Sequence, residues 1–218
     1  MHTKRSTWLT LLCLTACVLL TPGCRSAYYS AYEKFGVYKR DLLKKRVIAA
    51  RDDQRAAQQQ FKDALARLKE ITRFDGGQLE RAFKSLNTEY DDCVSQSDTV
   101  RKRIRDVETV ADDLFAEWEK EIGQIGTPSL RDSSRQQLAA TRQRYDGLHK
   151  ALKNAEQSMS PVLSQFHDYV LFLKHNLNAQ AIASLKGETS KIQDEIARLI
   201  DQMNHSIARA DEFIKTLK

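Results

Sequence analysis

In LERAFKSLNTEYDDCVSQSDTVRKRIRDVETVADDLFAEW, residues 79–118, an apolar or small residue returns at alternating steps of four and three: Leu79, Phe83, Leu86, Tyr90, Cys93, Ser97, Val100, Ile104, Val107, Ala111, Leu114 and Trp118. A strand repeats every two residues and cannot sustain this spacing. An average of 3.5 residues puts one stripe along a helix and is the signature of coiled-coil packing.

The same period continues on either side. Downstream it runs through Leu138, Thr141, Tyr145, Leu148, Leu152, Ala155, Met159, Val162, Phe166, Tyr169 and Leu173. It then runs through Ile182, Leu185, Thr189, Ile192, Ile196, Leu199, Met203, Ser206, Ala210, Phe213 and Leu217. Upstream it is softer, with Val47, Ala50, Gln54, Ala57, Phe61, Ala64, Leu68 and Ile71. Three breakers separate these runs: Phe74 to Gln78, Gly123 to Ser129, and His175 to Asn178. They leave four segments at about 31–73, 76–124, 128–175 and 179–217.

Each breaker carries helix-boundary chemistry. Asp75 with Gln78, Thr127 with Pro128, and Asn178 are the expected amino-terminal caps, and Phe74 and Leu177 are expected to staple onto Leu79 and Ile182. Pro161 falls inside the third run, but the register crosses it from Met159 to Val162, so a kink is expected rather than a break. Short connections favour antiparallel neighbours. The sequence therefore predicts an all-α protein: an elongated antiparallel up-down bundle of four long heptad-patterned, coiled-coil helices after a cleaved signal peptide. Each helix would extend about 60–70 Å at 1.5 Å per residue. A hinged three-helix arrangement is the rival.

The first residues differ in character. Lys4 and Arg5 precede an apolar run, Trp8 to Leu20, that is too short for a comfortable membrane span. Leu20-Thr21-Pro22-Gly23-Cys24 then offers a small residue before a thiol, as a lipoprotein signal peptidase requires, although Thr21 and Pro22 depart from the usual pattern. An ordinary cleaved signal with an incidental cysteine is the alternative. The organisation expected is a lipoprotein signal peptide at 1–23, a lipid anchor and juxtamembrane segment at 24–40, and a bundle at 41–218. Arg25, where inner-membrane lipoproteins often carry Asp, favours sorting to the outer membrane over the inner one. The location expected is the periplasmic face of a bacterial envelope.

Composition agrees. Gly (8) and Pro (3) are too scarce for a turn-rich β fold. Without Lys4 and Arg5 the chain holds 33 basic against 29 acidic residues, a modest and dispersed excess that does not point to nucleic acid.

Chemistry is sought with less result. Leu185-Lys186-Gly187-Glu188-Thr189 lacks the spacing of a phosphate loop. His149, His167, His175 and His205 are scattered, with no metal-ligand spacing, so no metal or cofactor is expected. Cys93 occupies a core position and reads as a small buried residue. No enzyme is expected.

Two surfaces stand out. Tyr28, Tyr29, Tyr32 and Phe35, followed by Lys39 and Arg40, suit a membrane interface beside a lipid anchor; alternatively they begin the first core stripe. Lys174, His175, Asn176 and Asn178 form a polar turn that either meets a partner or merely caps two helices.

Four stretches carry a resemblance: Ser26–Arg40 (SAYYSAYEKFGVYKR), Phe74–Glu80 (FDGGQLE), Leu114–Glu121 (LFAEWEKE) and Leu171–Glu188 (LFLKHNLNAQAIASLKGE). With these the chain resembles a domain-of-unknown-function family of Gram-negative bacterial coiled-coil lipoproteins. The resemblance implies a helical envelope lipoprotein and brings no activity or catalytic residue. The functions expected are a non-enzymatic, membrane-tethered periplasmic scaffold or adaptor with a protein partner, or else an envelope binding module for lipid head groups or peptidoglycan.

Overall fold

The computed structural model describes Tyr29, residues 36–73 and residues 79–217. The leader, Cys24, Tyr28, Tyr32, Phe35 and the expected cap at Phe74, Asp75 and Gln78 lie outside the described residues. Within residues 36–73 and 79–217, four helices follow in order: α1 (Lys39–Ile71), α2 (Leu79–Ile122), α3 (Pro128–His175) and α4 (Ala179–Thr216). There is no strand among the described residues. The chain divides into two compact units, Met1–Leu42 and Leu43–Lys218.

Helix α1 starts later than the period suggests. Gly36 adopts a left-handed conformation at φ 73°, which favours glycine, and turns the chain. The Tyr38 amide then donates to Asp41 Oδ2 at 3.3 Å, while the Tyr38 carbonyl accepts from the amides of Asp41 and Leu42. Asp41 thus reaches back over the helix start as the third residue of a capping box does. Thr127 precedes α3 without a side-chain cap, contrary to expectation. The Arg131 guanidinium closes that turn instead, donating to the carbonyls of Ile125 (3.0 Å) and Gly126 (3.3 Å). Helix α3 continues through Pro161.

Within residues 43–218 the cross-helix contacts fix the topology. Between α2 and α3, Tyr90 meets His167 (ring centroids 5.8 Å), Glu108 meets His149 (2.7 Å), and Trp118 donates to Ser134 (2.9 Å). One number rises as its partner's falls, so the two helices are antiparallel. Between α3 and α4, Tyr169 donates to the Glu188 carbonyl, and Tyr145 faces Phe213. Between α1 and α2, Gln60 meets Glu89 and Arg46 meets Asp106. Helix α1 closes the ring against α4, where Arg51 meets Asp211 at 2.7 Å and Gln58 meets Asn204 at 2.8 Å. Helices α2 and α3 therefore each lie between their two sequence neighbours, while α1 and α4 close the ring against each other. A four-helix bundle results, and the three-helix rival is set aside.

The stripes read from sequence supply the core. Phe61, Leu68, Leu86, Ile104, Leu148, Leu152, Met159, Phe166 and Phe213 are all buried. Each large apolar side chain so placed contributes about 1.5–3 kcal/mol. The register slips twice. After Ala111 the next buried residue is Phe115, not Leu114, and the stripe ends on Ile122 while Trp118 stays half-exposed. After Phe166 it is Val170, not Tyr169. A step of four replaces three because a helix with 3.6 residues per turn drifts past a strict 3.5 repeat.

Candidate interaction surface at the α3–α4 turn

The turn at 176–178 is built by its own asparagines. The Asn176 amide donates to the Leu173 carbonyl at 3.2 Å, and the Asn176 side-chain amide donates to the Phe172 carbonyl at 2.9 Å. These bonds satisfy carbonyls that the end of α3 leaves without a helical partner. Asn178 Oδ1 accepts from the Ala181 amide at 2.9 Å, which caps α4 as the sequence predicts. Both asparagines are thereby engaged with their own backbone. Lys174 and His175 are exposed beside them.

The apolar residues of this turn are what sequence reasoning passed over. Leu171 is 44% exposed, Phe172 39% and Leu177 36%, while Leu173 between them is fully buried. Val170-Leu171-Phe172-Leu173 is a run of four apolar residues, and one helix seam buries only those at its own spacing. That surplus was the signal available. Leu177, the residue expected to staple onto Ile182, keeps about a third of its surface open to solvent.

The juxtamembrane candidates are seen only in part. Tyr29 is buried, and the Lys39 ammonium sits 4.7 Å from its ring centroid. Arg40 is exposed, and so is Tyr38 at 60%.

Elsewhere the titratable groups are structural in setting. Burial pushes the Cys93 thiol up to about 12, with Glu89 and Asp92 adding to the effect, so its nucleophilic thiolate is suppressed. Burial likewise raises the Tyr145 phenol, whose ring stacks on His149. His149 in turn contacts Glu108 at 2.7 Å. A groove of about 350 Å³ lies beside Tyr145 between α2 and α3. Arg142 crosses it, bonded to Glu119 at 2.9 Å and placed over the Phe115 ring. No group of three or more metal-ligating side chains converges among the described residues, and no described helix is long and apolar enough to cross a membrane.

Residues 28–217 match the model of a family described as "Protein of unknown function (DUF2959)", and the chain belongs to that family. No curated protein and no solved structure matches it.

Proposed function

We propose that this member of the DUF2959 family is a non-enzymatic, membrane-tethered scaffold or adaptor of the bacterial cell envelope. A lipid on Cys24 would hold it on the periplasmic face, with the outer membrane favoured over the inner. The observation that carries this reading is the long apolar seam of the bundle. Helices of 33 to 48 residues pack side by side with their seam positions committed to the core. A body of that kind resists bending and keeps its ends apart, which suits a spacer between a membrane and a protein partner. The leader running into Gly23-Cys24, with Arg25 after it, supports the anchor and its sorting.

The test is the mature amino terminus together with the partner. Mass analysis of the chain from envelope membranes is expected to show acylated Cys24, and in-cell crosslinking to give one reproducible envelope protein. An unmodified chain beginning at another residue would remove the tether from the reading.

A second reading, an envelope binding module for lipid head groups or peptidoglycan, is favoured by the exposure of Tyr38 and Arg40 just after the anchor region. It predicts that the chain still sediments with sacculi or vesicles once Cys24 is replaced by Ser.

A further inference from the structure

We infer that the apex of the α3–α4 hairpin is a lipid-contacting surface selective for anionic phospholipid. Large exposed apolar side chains are few among the described residues: Tyr38, Leu130, Leu171, Phe172 and Leu177. Three of these five fall within seven residues at one turn. The same stretch has a one-sided charge. No acidic residue occurs between Asp168 and Glu188, whereas Lys174 and Lys186 lie within it and are exposed. The opposite turn offers the contrast: Leu130 stands alone there, beside both Arg131 and Asp132.

The occupant follows from shape and charge. A specific protein interface needs roughly 1,000 Å² or more of complementary surface. Three side chains on the convex end of one hairpin are a small part of that. The bonds of Asn176 and Asn178 to their own backbone also hold the turn, so it does not flatten to widen the contact. A fluid bilayer asks for neither area nor complementarity. Leu and Phe enter its interface one at a time, and each nearby cation attracts an anionic surface by about fivefold in affinity. Leu171, Phe172 and Leu177 flanked by Lys174 fit that requirement.

Residues 43–71 of α1, about 40 Å long, run antiparallel to both α2 and α4, so Leu43 and the α3–α4 apex mark opposite ends of the bundle. The chain leads back from Leu43 to Cys24. The apex contact stands without the anchor; only a bridge between two membranes rests on the proposed lipid at Cys24.

The experiment uses the full chain from envelope membranes, reconstituted into phosphatidylcholine vesicles. A second, fluorescent population contains phosphatidylglycerol as well, and its co-flotation with the first is measured. Capture of the anionic vesicles is expected, and it should weaken as salt is added. Replacing Leu171, Phe172 and Leu177 together by Ser should reduce capture about thirtyfold, with helicity retained because none of the three fills the core. In an independent measurement, Phe172→Trp should add an emission component that shifts to the blue on phosphatidylglycerol vesicles and is quenched by brominated acyl chains. Equal capture by the triple Ser variant, or an unshifted Trp, overturns the inference. So does a triple variant that changes only the sedimenting species, which would make a second copy of this chain the occupant. Failure of the anchor reads differently: the chain is then missing from the phosphatidylcholine vesicles, while Phe172→Trp still responds to the anionic ones.

Discussion

Helices α1 and α3 hold equivalent places, each between α2 and α4, yet different chemistry keeps them there. Along α3 the backbone repeatedly comes within 8 Å of α2 and of α4, and Leu148, Leu152, Ala155, Met159, Val162 and Phe166 fill the seam. Along α1 such close approach is sparse. Its buried stripe has large residues at its ends, Leu43, Val47, Leu68 and Ile71, and between them runs through Ala50, Gln54, Ala57, Phe61 and Ala64. The flanks of α1 are polar. Arg51 and Arg55 share Asp211, Arg103 reaches Asp53 at 2.7 Å, and the Gln96 side-chain amide donates to the Asp53 carbonyl. Gln54, Ser97 and Ser206, on α1, α2 and α4, bury side-chain polar atoms that make no hydrogen bond; on α3 one oxygen of Gln165 does so, whereas Gln54 leaves both ends of its amide unpaired. The difference teaches how one fold divides its work. Helix α3 is joined mainly by large apolar side chains in close contact, which is strong and insensitive to salt, with ion pairs such as Arg142 to Glu119 at its edge. Helix α1 also buries Leu43, Val47, Phe61, Leu68 and Ile71, but small residues and Gln54 fall between them; partly exposed ion pairs, each worth about 0–1 kcal/mol, add to its hold, and it carries the cost of the buried amide.

Four substitutions test that contrast. The largest effect is expected at Leu152, fully buried in the α3 seam: Leu152→Ala should cost about 2–5 kcal/mol in urea unfolding. A cost well under 1 kcal/mol would mean that α3 is not the apolar backbone of the bundle. Next, Gln54→Leu removes a buried amide with no partner and should stabilise the protein by about 1–3 kcal/mol. A clear destabilisation would show that the amide is satisfied in solution and that the α1 seam carries no such cost.

A smaller loss, roughly 0.2–1 kcal/mol at low salt, is expected for Asp211→Asn, which leaves Arg51 and Arg55 with Asp52 on their own helix but without the carboxylate of α4. Amide exchange should quicken along residues 43–71 and stay unchanged along α3; uniform quickening would erase the distinction. The smallest effect belongs to Glu70→Ala. Glu70 is exposed and, among the described residues, pairs with Arg67 of the same helix, so the melt should move by less than about 0.5 kcal/mol. A larger shift would indicate that surface pairs on α1 matter more than its buried stripe.

Particular residues show how far the sequence could be read. The seam positions of α1, most of α3 and nearly all of α4 are buried where their period places them. Leu114 and Phe115 are adjacent and both apolar, and only the supercoil of α2 against α3 selects Phe115, whose ring meets Tyr145 edge-on at 5.4 Å. The break at Gly36 is hidden in sequence because Tyr28, Tyr32 and Phe35 carry a helical spacing up to it. At the α3–α4 turn the asparagine caps were legible from local chemistry, whereas the exposure of Leu171 and Phe172 was not. Apolar residues beside a seam look the same in sequence whether or not a neighbour covers them.

The sequence by itself determined the four long helices of the described residues, their boundaries to within a few residues at most ends, and the antiparallel path. These depend on hydrogen bonds from each residue to the fourth before it, on caps within one turn, and on connections too short for any other path. Only the tertiary structure decided that α1 closes the ring against α4, that Gln54, Ser97 and Ser206 bury polar atoms, and that the apex of α3 and α4 leaves three apolar side chains uncovered. Each of those outcomes depends on the angles at which helices far apart in the chain meet, and no periodicity within a single helix specifies them.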